Sequence, residues 1–461
     1  MLAQLHNQHQ AQHRSGAARN PLQPPAGDLL RVGSRRWFLQ TGLAGLAGLG
    51  LTDVLRLRGQ SPSSRREARS VILFWLSGGP SHIDMWDPKP EAPQEIRGPY
   101  RTIATSVPGT RVCEHLPMQA RLLHKMSIIR SVDCSASNHT PITMQAGNAL
   151  ARRTDNGQDG GGYPSMGSVA ARLRGANSSP MPAFVGLADS WRADIWGAGH
   201  MGNAFEPVKG NELPGRLALP AGMSIPRLAD RAELRRGFDA LRREVAAGAA
   251  QVDHYAGMAY DMVLSRQVEQ AFALHQEPDR VRDAYGRISI GEKALLARRL
   301  VEAGTTFVVV SGRWGYFDHH GDNVPPWGGI ERGLTPILPT VDRALTALIQ
   351  DLEVRGLLDS TLVLMLGEFG RSPVMTADAG RNHWTNVMSM LVAGGGFRHG
   401  QVIGSTDHRG GDIKERPVRP ADLAATVFRH LDIPLDSHWL NPQGRPIPIV
   451  TEGGRPIMEL T

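Results

Sequence analysis

The sequence predicts an α/β fold with a mainly parallel sheet, on three observations. Three apolar, β-branched runs, at residues 71–76, 305–311 and 361–366, each stop abruptly at glycine or polar clusters, as strands buried on both faces do. Stretches with helical apolar spacing lie between them; Val341, Leu345, Leu348 and Leu352 form one such stripe. No hairpin signal joins one run to the next, so crossover helices are the expected connections. With 461 residues and 41% hydrophobic content, the chain is long enough for one large or two ordinary domains.

The charge is unevenly placed. Residues 1–70 hold ten arginines, no lysine and three acidic residues, which accounts for the whole net charge of +7. The rest of the chain is balanced, so the basic pI does not come from a nucleic-acid-binding face and no nucleic acid partner is expected. Ser34-Arg35-Arg36-Trp37-Phe38-Leu39-Gln40 reads as a twin-arginine export signal. Residues 42–51 follow as a short Gly/Ala/Leu run, too short to span a bilayer. The 33 residues before the motif are long for such a leader, and no A-x-A cleavage site is evident. The division expected is a leader and polar linker at 1–69 and one domain at 70–461. The twin-arginine translocon is the expected partner, with a periplasmic or extracellular destination. Membrane attachment is expected only if the leader is retained. Cys113 and Cys134 would reach an oxidising compartment, where they could pair; no C-x-x-C is present.

The folded part begins near Ser70 with the central strand at 71–76. Residues 87–111 read as a long Pro/Gly loop and 116–123 as a short helix. Residues 126–132 are a second strand, ending in Cys134-Ser-Ala-Ser-Asn-His139-Thr140-Pro141, with Thr140 as an N-cap before a helix-opening proline. Residues 165–173 read as helix and 182–187 as strand. Residues 226–285 turn to mixed helix formers, read as a helical insertion or flank. Ser289-x-x-Glu292 has capping-box spacing, and Gly304 suits the end of that helix. A strand at 305–311 leads into Asp318-His319-His320. The helix opened by Pro339 ends at Gly356, and the strand at 361–366 runs into Glu368. Residues 386–392 are a further strand, and 420–431 a last helix.

Asp84, His139, Asp318 with His320, and Glu368 all follow predicted strand ends, and His383 comes fifteen residues after Glu368. Ligands in open α/β sheets bind outside the carboxyl ends of the strands. Carboxylates mixed with imidazoles suit Zn, Mn or Fe, less so calcium. One or two divalent cations could share the set, polarising an ester and activating water. No phosphate loop, G-x-S-x-G elbow, H-E-x-x-H or G-x-G-x-x-G after the first strand is present.

GGPSHIDMWDPKP, IRGPYRTIATSVPG followed by CEHLP, FDHHGDN, GEFGRSP and GRNHW together resemble an exported bacterial family carrying domain of unknown function 1501. That family is placed in the alkaline phosphatase/sulfatase-like superfamily. The resemblance implies a three-layer α/β/α sandwich and a two-metal site hydrolysing phosphate or sulfate esters, of small molecules or polysaccharides. It implies Asp84 as the first metal aspartate, Asp318 and His320 as an Asp/His pair, Glu368 in place of a usual Asp, and His383 as a later histidine. Glu368-Phe369 replaces the superfamily's Asp-His, which bears on the second metal. Thr140 is the candidate nucleophile, and Arg371 and Arg381 are candidate anion clamps. The alternative is a non-catalytic exported binding protein that keeps the fold.

Overall fold

The computed structural model describes residues 66–152, 160–213 and 261–461, with single positions 215, 227 and 230. The leader expected at 1–69, save its last four residues, and most of the insertion expected at 226–285 lie outside them. The folded unit spans Ala68–Thr461. Among the described residues no helix is long and apolar enough to cross a membrane.

Eight strands form the central sheet: β1 (Ser70–Trp75), β2 (Met126–Val132), β3 (Phe184–Leu187), β4 (Val208–Lys209), β5 (Phe307–Ser311), β6 (Thr361–Leu366), β7 (Met388–Gly394) and β8 (Gln401–Ile403). Their order is β8-β2-β7-β6-β1-β5-β3-β4. The sheet is mainly parallel: β1 pairs in parallel with β5 and β6, β3 with β4 and β5, and β8 with β2. Only β7 is reversed, running antiparallel to both β6 and β2.

Side chains of β1 alternate between two cores, as the period of two requires. Ile72, Phe74 and Leu76 join the core that holds Leu296, Leu300, Leu345 and Leu348, while Val71, Leu73 and Trp75 join the one that holds Val169, Ala170, Leu423 and Val427. The packing helices are α1 (Ile142–Ala146), α2 (Met166–Leu173), α3 (Ser289–Ala303), α4 (Leu338–Val354) and α5 (Pro420–His430). Helices α3 and α4 cover one face of the sheet, and α2 and α5 the other. Each large side chain buried this way contributes about 1.5–3 kcal/mol.

Three expectations change. Cys113 lies in the first core and Cys134 in the second, both free. They lie in cores on opposite faces of the sheet, and no bond joins them. Ser289 does not cap α3; Ile288 occupies the cap position without a side-chain hydrogen bond. The partner expected of that cap, Glu292, instead pairs with Arg282 at 3.6 Å. Thr140 does not cap α1 either, since Pro141 holds that position. Part of the expected insertion is described, as the short helices Arg266–Phe272 and Asp279–Tyr285. Arg299 of α3 fastens the first of these by donating to the Ala271 carbonyl at 2.9 Å.

Candidate metal centre

Beyond β1 the chain turns through Gly78 and Gly79, both at positive φ (111° and 83°). A Cβ on Gly78 would meet the Asp318 nitrogen at 2.5 Å, and one on Gly79 would meet the Phe369 ring at 2.5 Å. Glycine is needed here because three strand-end loops press together. The Gly78 amide donates to Glu368 Oε1 at 2.8 Å. The buried Arg371 guanidinium donates to the Gly79 carbonyl at 2.7 Å and to that of Gly78.

Asp318 is the hub. Its Oδ1 lies 2.5 Å from Arg371 Nη2, 3.0 Å from His320 Nε2 and 3.1 Å from His383 Nε2. Its Oδ2 lies 3.4 Å from His139 Nε2, without a hydrogen bond between them. His139 Nδ1 contacts Glu368 Oε1 at 2.8 Å, and the Nε2 atoms of His320 and His383 are 2.9 Å apart. One ligand atom each from His139, Asp318 and His383 falls within 4.8 Å of the others. Trp314 lies against the His139 ring at 5.2 Å between centroids, and Phe369 against that of His383 at 4.6 Å.

The electrostatics fit a cation. Burial opposes ionising Asp318, but His139, His383 and the Arg371 charge outweigh it and hold its carboxyl far below the ordinary range. Burial likewise opposes charging His139, yet Asp318 and Glu368 raise its pKa to about 9. Burial and the Arg371 charge push His320 down. His139 Nε2 and Glu368 Oε2 are buried without a hydrogen-bond partner. Imidazole nitrogens converging on an ionised carboxylate, with orphaned donor atoms beside them, are a donor set suited to a first-row divalent metal.

The sequence model of the family described as "Protein of unknown function (DUF1501)" matches residues 68–461. The chain belongs to this family. No curated protein matches it in sequence. Solved structures to which this chain shows similarity include Ps i-CgsB (11% identity, 80% of this chain and 73% of that chain covered, TM-score 0.40). They also include the PsFucS1 sulfatase from Pseudoalteromonas sp. (12%, 82% and 70%, 0.38) and the phosphonate monoester hydrolase SpPMH from Silicibacter pomeroyi (13%, 85% and 76%, 0.34).

In this DUF1501 chain five of the sequence candidates come together: His139, Asp318, His320, Glu368 and His383. Asp84 has other partners. Its oxygens accept from Arg381 at 2.7 and 3.2 Å, and Oδ2 also accepts from Ser81 at 2.5 Å. The pair is fully buried, so Arg381 is a brace, not an open anion clamp. It also donates from its backbone to the His319 carbonyl at 2.9 Å. Arg371 is similarly spent on loop carbonyls and on Asp318. The Thr140 hydroxyl donates to Asn138 Oδ1 at 2.6 Å.

Sequence reasoning missed Trp314, Phe369 and Asp194. Asp194 is fully buried, both its oxygens lack partners, and burial, with the nearby Glu368 charge, raises its carboxyl to about 7. The one available signal was an acid set between Trp191 and Trp196.

Proposed function

We propose that the protein is an exported, metal-dependent hydrolase of phosphate or sulfate esters, with its ion held by His139, Asp318 and His383. The observation that carries this reading is the convergence of those three ligand atoms within 4.8 Å from three separate segments. His320 and Glu368 stand as further ligands or as the groups that orient them. Zinc, manganese or iron suits the mixed nitrogen and oxygen donors. A bound divalent ion supplies Lewis-acid polarisation of the ester and a more acidic water.

The chain's own residues do the rest. Arg371 fixes Asp318 Oδ1, leaving Oδ2 turned toward His139. Glu368, itself held by the Gly78 amide, fixes His139 through Nδ1 and so presents Nε2 to the centre. Trp314 shields one side of His139 and is 39% exposed, which puts an aromatic surface at the mouth of the site. Export rests on the twin-arginine motif at Ser34–Gln40 and its translocon; contact with a membrane follows only if the leader stays attached.

A non-catalytic metal-binding protein is the second reading, favoured by the engaged hydroxyls: Thr140 donates to Asn138 and Ser81 to Asp84. One experiment separates the two. The purified protein is loaded with zinc, manganese or iron, its bound metal is counted, and turnover of aryl phosphates and aryl sulfates is measured. We expect bound metal and turnover, with His383→Ala losing the ion and about 100-fold of the activity. Bound metal without turnover on any ester favours the second reading; wild type that binds no metal overturns both.

A further inference from the structure

Asp194 ends a helical turn of four residues, Trp191–Asp194, that follows β3. Gln145 fastens the turn: its side chain donates to the Asp194 carbonyl at 2.7 Å and accepts from the Trp196 amide at 2.9 Å. The backbone of Asp194 is thus held, while its carboxylate has no hydrogen-bond partner. Beside that carboxylate stand the hydroxyls of Ser77, just beyond β1, and Ser311, the last residue of β5. β1 and β5 pair in parallel with Trp75 opposite Ser311, so the two hydroxyls come from neighbouring strand ends. All three side chains are buried.

These oxygens are gathered without being bonded to one another. The Ser311 hydroxyl lacks a partner, as do both oxygens of Asp194. Ser77 Oγ accepts from the Gly315 amide at 3.2 Å, which leaves it a second lone pair. Lys293 is the nearby cation, but its ammonium lies 2.7 Å from Asp189 and donates to the Ser311 carbonyl at 2.9 Å. Burial raises the Asp194 carboxyl to about 7; the two hydroxyls favour its charged form, and the Glu368 charge opposes it. A buried carboxylate without a partner is costly. Oxygens that converge with no donor between them are the ligand type of a hard cation. One carboxylate among neutral hydroxyls matches a single positive charge.

We propose that Asp194, Ser77 and Ser311 bind a monovalent alkali cation, sodium or potassium. The site is separate from the metal centre, because Asp194 is not among the converging ligand atoms of His139, Asp318 and His383. The ion ties the end of β1 to the end of β5. Ser77 also takes the Gly315 amide on its hydroxyl and the Phe317 amide on its carbonyl, the latter at 2.9 Å. The bound ion therefore steadies the loop that presents Asp318.

Thermal unfolding of the full chain at about pH 8, above the value near which Asp194 ionises, tests this. Melts are run with EDTA, at one ionic strength, in the chloride of sodium, potassium or N-methylglucamine. Wild type is expected to melt about 3 °C higher in sodium or potassium than in N-methylglucamine, which is too large to enter. The better of the two alkali ions gives the size of the site. Asp194→Asn keeps the shape without the charge and is expected to melt alike in all three salts. Ser311→Ala is expected to lose at least half of the shift, and decides the matter alone if Asp194→Asn does not fold. His383→Ala is expected to lose the divalent metal yet keep the shift, so the two sites fail separately. Equal melting of wild type in the three salts overturns the proposal, as does a full shift that survives in Asp194→Asn or Ser311→Ala.

Discussion

Two aspartates in this chain, Asp84 and Asp318, follow buried parallel strands and carry an arginine, yet they are built for opposite purposes. Asp84 is sealed, with a side chain 0% exposed and Arg381 on both oxygens. Asp318 is 15% exposed and shares its oxygens between Arg371 and three imidazoles. A guanidinium keeps its protons at any relevant pH, so no metal displaces it from Asp84. An imidazole, unlike a guanidinium, can give up its proton and offer the freed nitrogen to a metal. The partner set, not the carboxylate, decides which aspartate keeps an oxygen clear of a guanidinium.

The largest test removes the sealed carboxylate. Asp84→Ala strands a buried arginine and should cost about 3–5 kcal/mol in urea unfolding, while the folded fraction keeps wild-type metal content. Asp318→Asn should reverse the pattern, losing metal with the smaller stability loss. Equal metal loss in both variants would break the comparison.

Glycine substitutions sharpen it. A Cβ on Gly98 would meet Asp84 Oδ1 at 2.6 Å, at a φ of +72°. Gly98→Ala should therefore destabilise by about 1–3 kcal/mol and leave metal affinity intact. Gly78→Ala pushes instead on the Asp318 backbone and should weaken metal binding.

The smallest effect is one of pH. In metal-free protein His139 has its pKa raised to about 9, above the unfolded value near 6.5. Its contribution to stability is full below about 6.5 and disappears as pH rises through 9. Thermal melts of metal-free wild type should fall across that window, and His139→Gln should flatten the fall. Adding metal should remove the dependence, because the ion replaces the proton.

Much of the fold was legible. β2 and β6 fall at the residues expected, because long apolar runs ending in turn residues have few other ways to bury themselves. The partner of each carboxylate was not legible. Asp84 sits nearest the organising strand and read as the first ligand, but its pairing with Arg381 joins segments almost 300 residues apart, with no periodicity to report it. His383 was singled out by its motif, but not the reason it lies beside Asp318. It precedes β7, and only because β7 runs against its neighbours does its start lie at the carboxyl edge of the parallel strands. Asp194 was hidden because residues 190–222 show no regular pattern.

The pairing of β1 also sets an order of events. The strand made first has as its neighbours β5 and β6, which are synthesised only at residues 307–311 and 361–366. Until they emerge, six buried side chains of β1 have no sheet to enter, and the loops that hold Asp318 and Glu368 have nothing to close against. Pairings so distant along the chain are slow to form and leave apolar surface uncovered meanwhile. Closure of the sheet, and of the loops at its edge, therefore waits for the last third of the chain.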